Sequence, residues 1–373
     1  MNAMRVAIVG ATGAVGRTML GILEERDFPV DELTLLASER TAGTRLRFRD
    51  TEHTVGVLSL EALDGVDLAL ASCGSAIAQT WVPQAAEAGT ICVDNSSAFR
   101  MEPWAELVIP EVNPEALERG AKVYAVPNCT IITALMALAP LHRAAGLKAV
   151  SLSSYQSVSG AGAKGVRELA EQVEKLHGME NDLANPDPAA LPVGEVFGKT
   201  IAYNVVAKID AFDEETGFTF EEIKVQREGR RILSLPSLDI SATCVRVPVP
   251  VGHSVSLRAT FQQPLSVIEA RELLSRAEGV QLRDDPANDV YPSPLEAAGI
   301  DDVLVGRIRQ PEGHDDELLL FACGDNLRKG AALNAVQIAE RVIALEDPKL
   351  LESLRRSRRE AAEGKRLRLE DNL

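Results

Sequence analysis

Residues 10–16 read GATGAVG and stand directly between an apolar run, Arg5 to Val9, and an amphipathic stretch through Leu20, Ile22 and Leu23. No other segment limits the fold of this chain so strongly. A strand that passes through closely spaced glycines into a helix turns tightly and brings bare backbone against whatever binds there. The first N–H groups of a helix are unpaired and its dipole is positive at that end, so the ligand such a turn suits is a phosphate. Gly10, Thr12, Gly13, Ala14, Val15 and Gly16 are accordingly the candidate cradle for a dinucleotide pyrophosphate. A tight turn without a ligand is the alternative. Beyond it, short apolar runs (LTLLA, DLALA, TICVD, LVIP and KVYAV) alternate with helical stretches as far as Asn128, the pattern of a Rossmann-like, doubly wound parallel sheet.

Sites that prefer NAD place a carboxylate at the end of the second strand, on the ribose hydroxyls. Here that strand ends in Ser38, Glu39, Arg40 and Thr41. Two hydroxyls and a guanidinium suit a 2′-phosphate once Glu39 turns away, so the pattern favours NADP over NAD; an ordinary polar turn is the alternative.

After Asn128 comes an apolar helix, TIITALMALAPLHRAAG, and then longer alternating strands such as KAVSLSSYQSVS, LDISATCVRVPV and SVSLRATF. Alternation of that kind fits an antiparallel or mixed sheet covered on one face. The expected organisation is α/β: an NADP-binding domain over 1–128, and an α+β catalytic and dimerisation domain with a mixed sheet over 129–325. A helix over 326–350, capped by Asn326, returns to the first domain. The 373 residues are enough for two such domains. The proline-rich stretch LANPDPAALPVG reads as an irregular surface loop, and residues 351–373 as a solvated, charged tail.

Composition serves mainly to exclude. A net charge of −16 argues against general affinity for nucleic acid or anionic membrane. No apolar run approaches the roughly 20 residues of a membrane-spanning helix. The first strand begins at Arg5 and leaves no room for a cleavable signal segment, so the expected compartment is the cytoplasm. Five cysteines with no CxxC pair fit neither a disulfide framework nor a zinc site, and no metal is expected. Cys73, Cys92, Cys244 and Cys323 lie in strand-like runs and read as buried small hydrophobes.

Cys129 differs, because it follows a strand and Pro127-Asn128 and opens the apolar helix. A thiolate at a helix N-terminus is stabilised by the dipole and by free N–H groups, which suits a nucleophile; a buried thiol is the alternative. Of the five histidines only His253, in VPVPVGHSVS, stands where a proton relay would be wanted, while His53, His142, His177 and His314 read as surface residues. Arg246 is a charge inside the apolar run ATCVRVPV, costly there unless it faces a pocket and an anion such as a carboxylate. An outward-facing arginine on an edge strand fits the same pattern. In TFEEIK, Thr219 and Glu222 have capping-box spacing, which leaves Glu221 and Lys224 three residues apart on one helical face, as site residues or as a surface ion pair. Arg100 follows the fourth strand at the ligand-binding edge of the sheet, and Gln156 precedes a glycine-rich turn.

With these segments in view, the chain resembles the aspartate-semialdehyde dehydrogenase family along nearly its whole length. The landmarks are GATGAVG, ASERTAG, DNSSAFR, VPNCT, YQSVSGAG, EEIK, RVPVPVGHS, VGRIR and DNLRKGAALN. The resemblance implies Cys129 as nucleophile, Gln156 as its orienting partner and His253 as the acid/base group. It implies Arg246 on the substrate α-carboxylate, Glu221 on its amino group, and Arg100, Asn128 and Lys224 on phosphate. Ser159 and Gly160 would lie near the nicotinamide, Asn95 and Asn326 near the cofactor, and Ser38, Arg40 and Thr41 near its 2′-phosphate. The implied activity is reversible, NADP-dependent reductive dephosphorylation of aspartyl phosphate to aspartate semialdehyde through a Cys129 thioester. That reaction serves the pathway to lysine, threonine, methionine and diaminopimelate, in a homodimer. An N-acetylglutamyl-phosphate reductase is the rival within the enzyme class, although its acylated substrate has no charged amine for Glu221. A non-catalytic paralogue is the rival outside it.

Overall fold

The structure, a computed structural model, describes residues 4–346. Its contacts divide these residues into two compact units, 4–126 with 332–346, and 127–331.

The first unit begins with β1 (Arg5–Val9), α1 (Ala14–Glu25) and β2 (Glu32–Ala37), followed by a two-stranded hairpin of β3 (Arg45–Phe48) and β4 (Thr51–Thr54). Then come β5 (Gly56–Val57), β6 (Leu68–Ala71), α2 (Ser75–Glu87), β7 (Ile91–Asp94), β8 (Glu106–Leu107) and β9 (Val123–Ala125). The sheet has seven parallel strands in the order β5-β2-β1-β6-β7-β9-β8. Strands β6 and β7 are buried throughout, as expected where helices cover both faces. From β1 the chain winds outward to β2 and then returns to β6 on the other side, so the direction of winding reverses between β1 and β6. Ligands of such sheets bind at that reversal.

The expected strand LVIP is a correction, because only Glu106–Leu107 pairs with β9. Pro110 has no N–H for a ladder, and the Asn113 side chain replaces the missing strand partner by accepting from Ile109 N at 2.9 Å and donating to Leu107 O at 2.8 Å. Carbonyls of the segment are taken by the last helix, through Asn334 Nδ2 on Val108 O and Arg341 Nη1 on Pro110 O.

The second unit comprises α3 (Cys129–Ala145), β10 (Leu147–Gln156), α4 (Ala163–Leu176), α5 (Phe220–Ile232), β11 (Asp239–Arg246) and β12 (His253–Phe261). It continues with α6 (Val267–Ser275), β13 (Val280–Leu282), α7 (Pro294–Ala297), β14 (Val303–Arg309) and β15 (Glu317–Gly324). Its sheet is mixed, in the order β11-β10-β12-β15-β14-β13, with β10–β11 and β13–β14 parallel and the other pairs antiparallel. Helices α3, α5 and α6 pack on one face. Strand alternation selects what meets them: Val150, Leu152, Ser154 and Gln156 from β10, and Ile240, Ala242, Cys244 and Arg246 from β11, are buried. The register sets Gln156 opposite Arg246, and the Tyr155–Ser254 pair puts His253 at the next step on the other side. Three chemically active side chains therefore end adjacent strands side by side.

The expected C-terminal helix begins later than its pattern. Helix α8 (Leu333–Glu346) begins after a π-helical segment, Arg328–Ala332, and belongs with the first unit, where Arg26 forms a partly buried two-point pair with Glu340 at 2.9 and 3.0 Å. Asn326 does not cap it. The Asp325 carboxylate takes Leu327 N and Arg328 N at 2.8 and 2.9 Å, while the Asn326 side chain turns to Ser157, Ser159 and Gly252. Residues 347–350 of the expected helix and the charged tail 351–373 lie outside the described residues. No helix among the described residues is long and apolar enough to cross a membrane.

Candidate active site

In the first unit the glycines answer the geometry that a dinucleotide demands. Gly10 has φ +89°, and a Cβ there would meet Ser72 O, at the end of β6, at 2.4 Å. A Cβ on Gly16 would lie 2.3 Å from Gly10 O, so its absence lets α1 pack against the turn. Gly13 faces only Gly10 O, at 3.3 Å, and is the N-cap of α1. No side chain caps that helix and no acidic residue stands in its first turn, so the N–H groups that open it remain for an anion. Thr12 Oγ1 and Thr41 Oγ1 lie 3.0 Å apart and tie this turn to the segment after β2. There Ser38 and Arg40 are exposed. At the end of β7, Asn95 Nδ2 donates to Ala71 O, and its Oδ1 is a buried acceptor without a partner among the described residues. Arg100 is buried and donates through Nη2 to Asn95 O at 3.0 Å. A cradle that any Cβ would fill, an open helix start and an orphaned amide oxygen fit a dinucleotide.

In the second unit the site is built around the start of α3. Asn128 is its N-cap, with Oδ1 accepting from Thr130 N at 2.9 Å and Ile131 N at 3.3 Å, which leaves Cys129 as the first helical residue, half-buried and in no disulfide. The Asn128 amide is also held from α5: Nδ2 donates to Glu221 Oε1 at 2.8 Å, and its backbone N to Glu228 Oε2 at 2.6 Å. Glu221 Oε1 accepts from Gln156 Nε2 at 3.0 Å as well, and Gln156 Oε1 accepts from Ser154 Oγ at 2.9 Å. Glu221 Oε2 lies 3.6 Å from Lys224 Nζ, which pairs with Asp210 at 2.7 Å. The expected capping box of α5 is present, and Glu222 does more than cap, because its Oε1 takes Cys244 N and ties α5 to β11.

Arg246 is 7% exposed, which excludes the outward-facing alternative. Its Nη1 donates to Ser157 O at 2.7 Å, and the guanidinium lies over Phe197, 5.9 Å from the ring centroid. Burial lowers its pKa, opposed by the negative charges of Cys129 as thiolate and of Glu221. His253 is fully buried, and burial, aided by the Arg246 charge, holds it well below its ordinary value. Both side chains border one space. A Cβ on Gly160 would stand 2.8 Å from Arg246 Nη1 and 3.2 Å from His253 Cε1 and Nε2.

The other thiols are unsuited to nucleophilic attack. Burial pushes Cys92, Cys244 and Cys323 up to about 12 and raises half-buried Cys73. Among the histidines read as surface residues, His142 is half-buried and accepts Leu147 N at 2.9 Å, satisfying the turn after α3.

Several residues escaped the sequence reading. Glu228 falls two helical turns from Glu221 on the buried face with Val225 and Ile232, and a charge at a core position was the available signal. Gly330, in DNLRKGAALN, lies against the nucleophile, since a Cβ there would be 2.9 Å from Cys129 Cβ. Its φ suits any residue, so Gly330→Ala keeps the backbone and overpacks the site. Overpacking costs about 1–3 kcal/mol, and if that falls on the transition state kcat/KM drops about ten- to a hundredfold. Steady-state kinetics and the rate of Cys129 alkylation measure it.

A family model described as the semialdehyde dehydrogenase NAD binding domain matches residues 5–120, and one described as the semialdehyde dehydrogenase dimerisation domain matches residues 138–329. The aspartate-semialdehyde dehydrogenase of Aquifex aeolicus is 46% identical over 343 residues, covering 91% of this chain and 98% of that protein. That of Bacillus subtilis is 44% identical over 339 residues, covering 90% and 96%. The chain belongs to the aspartate-semialdehyde dehydrogenase family. The crystal structure of aspartate-semialdehyde dehydrogenase II from Vibrio cholerae is similar in the same way: it is 40% identical, has a TM-score of 0.84, and covers 93% of this chain and 99% of that one. The same enzyme complexed with ASA matches at 41% identity with a TM-score of 0.84. Membership in this family makes the first unit a nicotinamide dinucleotide domain and brings the matching fold of the second with it.

Proposed function

We propose that this chain catalyses the reversible, NADP-dependent reductive dephosphorylation of L-aspartyl-4-phosphate to L-aspartate 4-semialdehyde and phosphate, through a thioester on Cys129. The observation that carries the reading is that Arg246 and His253 meet beside Gly160, while Asn128, the cap of the helix that Cys129 opens, is tied through Glu221 to Gln156, the strand partner of Arg246. In the oxidative direction the Cys129 thiolate attacks the aldehyde carbon, a bond forms from sulfur to carbon, and the carbonyl pair moves onto oxygen. The dinucleotide, when bound, would supply the redox chemistry, as NADP⁺ taking the hydride from the former aldehyde carbon in this direction and as NADPH returning it in the other. Phosphate then cleaves the acyl-cysteine and restores the thiolate.

Each residue has a stated task. The Arg246 guanidinium holds the substrate α-carboxylate at two points, and the Glu221 carboxylate holds its amino group. Gln156, fixed by Ser154 and Glu221, orients the reacting carbon, and His253 meets the carbonyl oxygen. Lys224 and the remaining Asn128 amide hydrogen supply phosphate contacts, while Ser159 and Gly160 border the nicotinamide. Support for NADP over NAD comes from Arg40, exposed and with no ion pair among the described residues, between Ser38 and Thr41. Two copies associate through the dimerisation domain into a homodimer in the cytoplasm; sedimentation at twice the chain mass checks the subunit count.

The deciding assay follows NADPH formation from aspartate semialdehyde with and without phosphate. Continuous turnover requires phosphate, and without it one NADPH forms per Cys129. Turnover indifferent to phosphate overturns the thioester route. Arg40→Ala is expected to raise KM for NADP about tenfold, the worth of a hydrogen bond to a charged group, and to leave KM for NAD unchanged. Equal shifts for both cofactors overturn the 2′-phosphate assignment.

A further inference from the structure

The proton on His253 is placed by its neighbours. The backbone N–H of Ser157 points at His253 Nδ1 from 3.1 Å, and both residues are fully buried. A backbone N–H only donates and cannot turn away, so Nδ1 must offer a lone pair. A neutral imidazole then carries its single proton on Nε2. The Ser157 hydroxyl also lies 3.1 Å from Nδ1, and it reaches Asn326 Oδ1 at 2.9 Å. Asn326 is itself fixed: Oδ1 accepts Gly252 N at 2.9 Å, and Nδ2 donates to Ser159 Oγ at 2.9 Å. The opposite tautomer, with Nδ1–H donating to the Ser157 hydroxyl, would set two donors against each other and orphan a buried backbone N–H. A hydroxyl rotates to suit either tautomer, whereas the amide does not. On the other side of the ring, Nε2 has no hydrogen-bond partner among the described residues and borders, with Arg246 Nη1, the space beside Gly160.

We infer that the Ser157 backbone amide, steadied by Asn326, locks His253 as the Nε2–H tautomer, so that His253 serves as a hydrogen-bond donor to the substrate oxyanion and not as the base that deprotonates Cys129. This rests on the dehydrogenase reading above and refines the role of one residue in it. When the Cys129–carbon bond forms, the carbonyl pair becomes an alkoxide held by Nε2–H, and no proton changes owner. The pair returns to the carbon–oxygen bond as hydride leaves for the nicotinamide. The Cys129 thiol proton goes to solvent before the attack. Ser157 and Asn326 are positioning residues.

The test uses the full chain labelled with 15N-histidine, with the His253 signals identified by their loss in His253→Asn. A protonated-type shift at Nε2 with an unprotonated-type shift at Nδ1, in enzyme without substrate, is expected. A proton on Nδ1, or on both nitrogens, at neutral pH overturns the inference. The second arm compares His253→Gln with His253→Ala in single turnovers. A glutamine amide donates a hydrogen bond but cannot act as a base, so Gln should exceed Ala by about tenfold or more, and equal rates overturn the donor role. The spectrum is read without substrate, so its outcome is separate from the dehydrogenase assay. Failure of the unmodified chain to oxidise aspartate semialdehyde would overturn the reading of function and leave the tautomer standing.

Discussion

Cys129→Ala is expected to reduce kcat by on the order of 10⁴-fold or more, the scale seen when a covalent nucleophile is lost. The chain should still fold. Asn128 caps the helix through its own side chain and is held by Glu221 and Glu228, none of which involves the sulfur, and alanine is at home in a helical position. Dinucleotide binding should persist, because the glycine turn and the open end of α1 belong to the first unit. Stopped-flow absorbance for hydride transfer and a fluorescence titration with NADPH measure the two quantities. Residual phosphate-dependent turnover near the unmodified rate would remove Cys129 from the mechanism, and Cys244, pushed up to about 12 by burial, offers no replacement.

Arg246→Lys keeps the charge and removes the fork. Lysine presents a point charge with no two-point match to a carboxylate, and its strongly hydrated ammonium is costlier to bury. The bond to Ser157 O, which sets the guanidinium beside the Gly160 space, would be lost or redirected. Breaking a buried, hydrogen-bonded charge pair costs about 2–5 kcal/mol, and the retained charge holds the loss to the lower part of that range, so kcat/KM should fall roughly a hundredfold. Most of it should appear in KM, since the α-carboxylate does not react. A fall confined to kcat with unchanged KM would move Arg246 from substrate binding to the reacting atoms.

How well these residues were legible depended on whether their signal was local. GATGAVG announced itself because the constraint acts within seven residues: positive φ at Gly10 and backbone packing at Gly16 tolerate no side chain. The capping box at Thr219 and Glu222 was visible for the same reason. The strand LVIP misled because its apolar pattern is real, yet Pro110 and the Asn113 side chain prevent a ladder. Asn326 stood where a cap belongs, but neighbouring Asp325 filled that role and freed Asn326 for the histidine network.

From the residues alone came a doubly wound first unit, a mixed-sheet second unit, a thiol at a helix start and a charge in an apolar strand. Each follows from the physics of neighbours in the chain: periodicity, backbone conformation, and the cost of burying a charge. Tertiary structure alone decided the partnerships. Strand register set Gln156, Arg246 and His253 side by side, two turns of α5 delivered Glu221 and Glu228 to the cap of α3, and the backbone of Ser157 reached the ring of His253 from 96 residues away. Hydrogen bonds and steric exclusion act over a few ångströms of space, and the sequence separation of their partners leaves no local trace.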